Sequence, residues 1–173
     1  MGMPLLFLCA ALLLSCAKQP VLPAHDQTGA ETVQTDRTDG EILRIAEEAR
    51  RTLPVFFRHL TRAEAGEEGF SIKYPFKADE GAGIVMEQLW LTGIHFKDGN
   101  YYGTVGGDPV HISGMKKGDT AAFDEEMITD WMYIRNGKIS GGRSIKYLLE
   151  TIPESRRSEG QRKMLAMFDD WVN

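Results

Sequence analysis

Alternating side chains, in stretches closed by residues that favour tight turns, constrain this chain more than any other feature of its sequence. In FSIKYPF (70–76), Phe70, Ile72, Tyr74 and Phe76 alternate with Ser71, Lys73 and Pro75. A period of two places the first set on one face of a strand, and Pro75 restricts that strand to an edge or an end. IVMEQLWLTGIHF (84–96) predicts a longer strand bent at Gly93, and Asp98-Gly99-Asn100 turns it back into YYGTVGG as a hairpin over 84–106. Lys117-Gly118-Asp119 predicts a tight turn leading into another strand. ITDWMYIRNGKISGG (128–142) supplies a strand, an Asn136-Gly137 hairpin turn and a return strand, after which SIKYLLETI continues apolar.

Helical signals flank this strand-rich region. Thr38 with Glu41 reads as a capping box, and Ile42, Ile45, Ala49 and Leu53 mark one helical face that Phe56 and Leu60 extend. Glu47 and Arg51 stand an i,i+4 step apart on the wet face. Pro54 is expected to end or kink this helix, or to open a short second one. Near the other end, Ser158 with Gln161 forms a second capping box ahead of Met164, Met167, Phe168 and Trp171. The pattern predicts one α+β domain over residues 41–173: a curved antiparallel sheet of five or six strands, with an N-terminal helix and a C-terminal helix packed on it. A closed barrel is the alternative that the same strands allow.

The N-terminus points to an address. Residues 5–14 form an apolar run of signal-peptide length, well short of the roughly 20 residues that span a bilayer. Leu13-Leu14-Ser15-Cys16 resembles the lipobox of bacterial lipoproteins, although the preceding MGMP carries no Lys or Arg. That resemblance implies a signal peptide over 1–15 and acylation of Cys16, with the bilayer as first partner. Ala17 at the next position favours the outer membrane, reached from its periplasmic face. Residues 16–40, with two prolines and many Thr, Gln and Asp, read as a flexible tether. Cys9 would leave with the signal, so the anchored chain has no second thiol for an internal disulfide and depends on its core. A net charge of -5 with mixed signs excludes a broad basic footprint for nucleic acid.

Chemistry is harder to find. His25, His59, His95 and His111 are scattered without ligand spacing, so neither a metal nor a cofactor is expected. No serine sits in a nucleophile elbow. Carboxylates are the strongest enzyme candidates, namely Glu87, Asp119 and Asp130, because an envelope hydrolase could use two of them as an acid–base pair. Trp131, Tyr133, Arg135 and Arg143 are candidates for a binding patch. Within the strand, Ile128, Asp130, Met132 and Ile134 share one face while Thr129, Trp131, Tyr133 and Arg135 share the other. Asp130 therefore falls on the face expected to be buried. It is read as a structural anchor, hydrogen-bonded to the backbone of the Lys117-Gly118-Asp119 turn or else carrying an unusual pKa.

Several segments together resemble the bacterial YegJ-like family, DUF2314. They are Thr52-Leu53-Pro54-Val55-Phe56, FSIKYPF, MEQLWLTGIHF with Tyr101-Tyr102-Gly103 and Gly107-Asp108-Pro109-Val110, Lys116-Lys117-Gly118-Asp119, and ITDWMYIRNGKISGGRSIKYLL. The resemblance covers about residues 42–150 and implies no particular activity. It does imply Glu-His ahead of the tryptophan strand, where this chain has Glu87-Gln88. Glutamine keeps hydrogen bonding but not acid–base chemistry, which favours structure or binding over catalysis. The expectation is a lipid-anchored, non-enzymatic envelope module that binds a protein partner. The alternatives are the carboxylate hydrolase and a membrane-tethered immunity or inhibitor protein.

Overall fold

A computed structural model describes residues 40–169. The expected signal peptide, the Cys16 lipid site and the tether lie outside these residues, Gly40 apart. So do His25, Trp171 and Thr38 of the first capping box. Helix α1 (Gly40–Thr61) buries Ile45, Ala49, Leu53 and Phe56, the i, i+4, i+8, i+11 series that one helical face requires, together with the adjacent Ala46. It runs through Pro54 to Thr61 instead of ending there. Arg51 pairs with Glu48 at 2.7 Å, one position away from the Glu47 expected from sequence.

Strands β1 (Glu67–Lys77), β2 (Met86–Lys97), β3 (Asn100–Val105), β4 (Thr120–Phe123), β5 (Asp130–Arg135) and β6 (Lys138–Gly141) form one sheet in the order β4-β3-β2-β1-β5-β6. Every neighbouring pair is antiparallel. The two hairpin turns fall where the sequence places them, with Asp98 and Asn136 at φ 50° and 51°. The bend at Gly93 is also present, as a register shift between Thr92 and His95. Pro75 sits in the central strand without breaking a ladder, because the β1–β5 pairing stops at Lys73 and only Gln88 of β2 lies opposite it.

The expectation of a curved sheet is corrected. The sheet is open, neither curled on itself nor closed, with β4 and β6 at opposite ends of the strand order. Closure would require those two strands to pair. β4 has only four residues, and the outer edge of β6 is occupied by an isolated parallel bridge from Phe168, with Asp169 N–H donating to the Ile139 carbonyl at 3.0 Å. The return strand ends at Gly141, and the apolar stretch after it is helical. SIKYLLETI folds as helix α2 (Arg143–Thr151), followed by α3 (Glu159–Met167), whose Ser158–Gln161 capping box is formed in both directions.

Alternation assigns the two faces of the sheet. Ile72, Leu91, Trp131 and Tyr133 join Ala49, Leu53 and Phe56 of α1 in the main core. Ile112 and Met115, from the long 106–119 loop, pack against that same core. Lys73, Asp130 and Met132 take the opposite face.

Candidate functional site

Lys73 and Asp130 are direct cross-strand partners on β1 and β5. Asp130 is 1% exposed, so its carboxylate needs partners inside the protein. Gly141 and Gly142 supply the means. Both have positive φ, 79° and 64°, and a Cβ on Gly141 would collide with the Trp131 carbonyl and ring. Two left-handed residues in succession end β6 and start α2 at once, with Gly142 N–H donating to the Trp131 carbonyl at 2.8 Å. Gly142 is the N-cap residue of α2 and has no side chain to cap it. Asp130 does that work from a distance: Oδ2 accepts the Ser144 N–H and Oδ1 accepts the Trp131 N–H, each at 2.8 Å. A carboxylate at a helix N-terminus also suits the helix dipole.

Lys73 completes the cluster. Its Nζ donates to Ser144 Oγ at 3.2 Å and stands 6.0 Å from the Trp90 ring centre. Burial pushes the Asp130 carboxyl up, while the Ser144 bonds, the Lys73 charge and the Trp131 amide pull against it. Burial likewise lowers Lys73, with Asp130 opposing. Opposite charges bridged by a hydroxyl, with Ser144 itself 3% exposed, hold α2 onto the sheet. The geometry suits anchoring and gives a substrate no approach to Ser144. The hydrogen bond expected from the Lys117-Gly118-Asp119 turn is not made. That turn is bonded to Val105 of β3, three strands away from β5 in the sheet.

Glu87 and Asp130 are not brought together. Glu87 lies opposite Phe76 and Asp130 opposite Lys73, an odd separation along β1, so the two side chains leave opposite faces. Glu87 accepts the backbone N–H groups of Val110 and His111, both at 2.7 Å. Asp119 accepts Lys116 N–H at 2.9 Å, Asp108 accepts Lys117 N–H at 2.9 Å, and Asp79 accepts Ser113 N–H at 2.6 Å. Four carboxylates thus fasten the 106–119 loop. That loop presents Val110, which is 72% exposed.

The proposed binding residues are dispersed. Trp131 and Tyr133 are buried beneath α1, where Trp131 Nε1 donates to the Ala49 carbonyl and to Thr52 Oγ1, both at 3.1 Å. Tyr133 stacks between Phe70 and His59, with ring centres 5.1 Å from each. Arg143 reaches Glu48 at 3.3 Å and Arg135 reaches Asp169 at 3.8 Å. Gln88 accepts a hydrogen bond from Thr129 Oγ1 at 2.8 Å, tying β2 to the entry of β5 across the end of β1. Among the described residues no group of His, Cys, Asp and Glu is placed to hold a metal. None of their helices is long and apolar enough to cross a membrane.

Lys73, Ser144 and the Gly141-Gly142 pair escaped sequence reasoning as a unit. The available signal was a glycine pair followed two residues later by serine, an abrupt strand-to-helix joint that needs an external cap.

A family model described as "Uncharacterized protein conserved in bacteria (DUF2314)" matches residues 39–165. A putative ankyrin repeat protein of Neisseria meningitidis serogroup B is 30% identical over 129 residues, which is 72% of this chain and 51% of that protein. The chain therefore spans about half the length of that relative. The uncharacterized protein YegJ of Escherichia coli K12 is 31% identical over 117 residues, covering 68% of this chain and 72% of the relative. No solved structure matches the chain.

Proposed function

The chain belongs to the DUF2314 family of bacterial proteins, and from that premise we propose that it is a membrane-tethered, non-enzymatic binding module of the cell envelope. The observation that carries this reading is the pair of 2.7 Å hydrogen bonds from Val110 and His111 to Glu87. With both carboxylate oxygens taken by backbone amides, Glu87 fixes the 106–119 loop, and with it the exposed Val110 side chain, in one conformation. Ordering a loop before the partner arrives lowers the entropy cost of association. Asp119 and Asp130 are committed to backbone amides in the same way. The Neisseria relative adds support. There a domain like this one makes up about half of a protein named for ankyrin repeats, which are arrays with extended binding surfaces. The Leu13-Leu14-Ser15-Cys16 sequence supports attachment to a bacterial membrane through acylated Cys16, with the domain on the periplasmic side and the outer membrane favoured.

The test is site-specific photo-crosslinking of the full chain in native membranes. A crosslinking residue at position 110 is expected to give a discrete adduct, and one at the exposed Asn100, on the far hairpin, is not. Absence of an adduct at 110 contradicts the reading. So does turnover of peptidoglycan fragments that Glu87→Gln or Asp119→Asn abolishes without unfolding the chain.

A further inference from the structure

An open groove of about 590 Å3 runs between α1 and the start of β3, floored by Leu53, Pro54, Phe57 and Tyr101. The Phe57 and Tyr101 rings meet at 4.9 Å, and Phe96 packs edge-on against Tyr101 at 4.9 Å. Phe96 is 62% exposed, so the apolar surface continues out of the groove. Glu125 and Glu126 form one wall, in a short 3-10 turn preceded by exposed Asp124. Arg50 is the cation of the lining, and its guanidinium is drawn aside to the Ile128 carbonyl at 3.4 Å.

Acceptors dominate the polar part of the lining: two carboxylates, of which Glu125 also takes the Tyr101 hydroxyl, above an apolar floor whose Tyr101 ring is packed against Phe57, Phe96 and Phe123. An anionic ligand or an acidic lipid surface would meet Glu125 and Glu126 with like charge. A lysine or arginine has the complementary form, an aliphatic stem for the floor and a donor head for the wall.

We propose that this groove receives a basic, amphipathic segment of a partner protein, its apolar side on Leu53, Phe57 and Tyr101 and a lysine or arginine head against Glu125 and Glu126. The inference rests on the binding-module reading and names the class of partner for a surface separate from the Val110 loop.

The experiment measures binding of a short fluorescent Leu/Lys amphipathic helix to the full chain by anisotropy, against a Leu/Glu counterpart. Glu125→Lys/Glu126→Lys is compared with Glu80→Lys/Glu154→Lys, an equal charge change at exposed positions that do not line the groove. Glu125→Gln/Glu126→Gln serves as a milder variant, and circular dichroism checks that each one folds. The groove pair is expected to weaken the Leu/Lys helix at least about tenfold and the distant pair less than about twofold. Equal losses in both pairs overturn the inference. No binding by the unaltered chain, or equal binding of the Leu/Glu helix, overturns it as well. An adduct at position 110 without peptide binding removes the groove and leaves the module standing; failure of both removes both.

Discussion

Replacing Asp130 by asparagine isolates what the buried cluster does. Asparagine preserves volume but has one acceptor oxygen where the carboxylate has two, so its amide must face either the Trp131 or the Ser144 N–H, donor against donor. The Lys73 ammonium also loses its counter-charge while staying next to Ser144 Oγ. Breaking one side of a buried pair costs about 3–5 kcal/mol, because the remaining charge is left uncompensated. A domain of this size has a total stability of only about 5–15 kcal/mol, so the variant should be folded but fragile. Removing the stranded charge as well, in Asp130→Asn/Lys73→Met, should recover about 1–3 kcal/mol, since an apolar replacement carries no desolvation penalty. Ser144→Ala keeps the backbone N–H and should cost only about 1 kcal/mol. Urea unfolding of the purified chain, followed by far-ultraviolet circular dichroism, gives all three values, and the Lys73→Met single variant closes the double-mutant cycle between Lys73 and Asp130. A cost for Asp130→Asn below about 1 kcal/mol, or no recovery on adding Lys73→Met, would refute the assignment of this cluster as the clamp on α2.

Three further outcomes follow from individual residues. Gly141→Ala should lower stability by more than about 2 kcal/mol in the same unfolding assay, because a left-handed backbone and a collision with the Trp131 carbonyl act together. Burial tends to raise the Glu67 carboxyl, but the Glu64 amide and His59, 2.8 Å away, outweigh it and hold its pKa below the ordinary value. Its contribution to stability is therefore full above the ordinary glutamate pKa of about 4.3 and is lost as pH falls through the lower, folded value. Glu67→Gln should flatten that acid limb of the stability profile and leave its alkaline side unchanged. Cys16→Ser should abolish metabolic labelling by palmitate, and undiminished labelling would rule out acylation at that residue.

Features set by near neighbours in the chain were legible in the sequence. The Asp98-Gly99 and Asn136-Gly137 turns need positive φ at particular positions, and the Ser158–Gln161 box closes within four residues. What escaped depends on elements far apart in sequence. Alternation placed Asp130 with Met132 and Ile134 correctly, but both faces of β5 are covered, one by α1 over Trp131 and Tyr133 and the other at the start of α2. The larger core is therefore on the tryptophan side. Lys73 carried no signal beyond its place in the alternation with Ser71 and Pro75, because its counter-charge is 57 residues away in sequence. In SIKYLLETI, Ile145, Leu148, Leu149 and Ile152 have helical spacing, hidden by the glycine pair that makes the preceding strand stop short. Glu87 and Asp119 looked reactive in the sequence because the amides they bind, those of the 106–119 loop, carry no sequence signature at all.

The claim that these carboxylates organise a surface instead of reacting is open to one direct measurement, the amide hydrogen exchange of Val110 and His111. Both amides should be protected in the unaltered chain. In Glu87→Gln their exchange should accelerate by at least about tenfold, as expected for losing hydrogen bonds to a charged acceptor, while the amides of β5 stay unchanged. Rapid exchange at Val110 and His111 in the unaltered chain, or protection that survives Glu87→Gln, would contradict it.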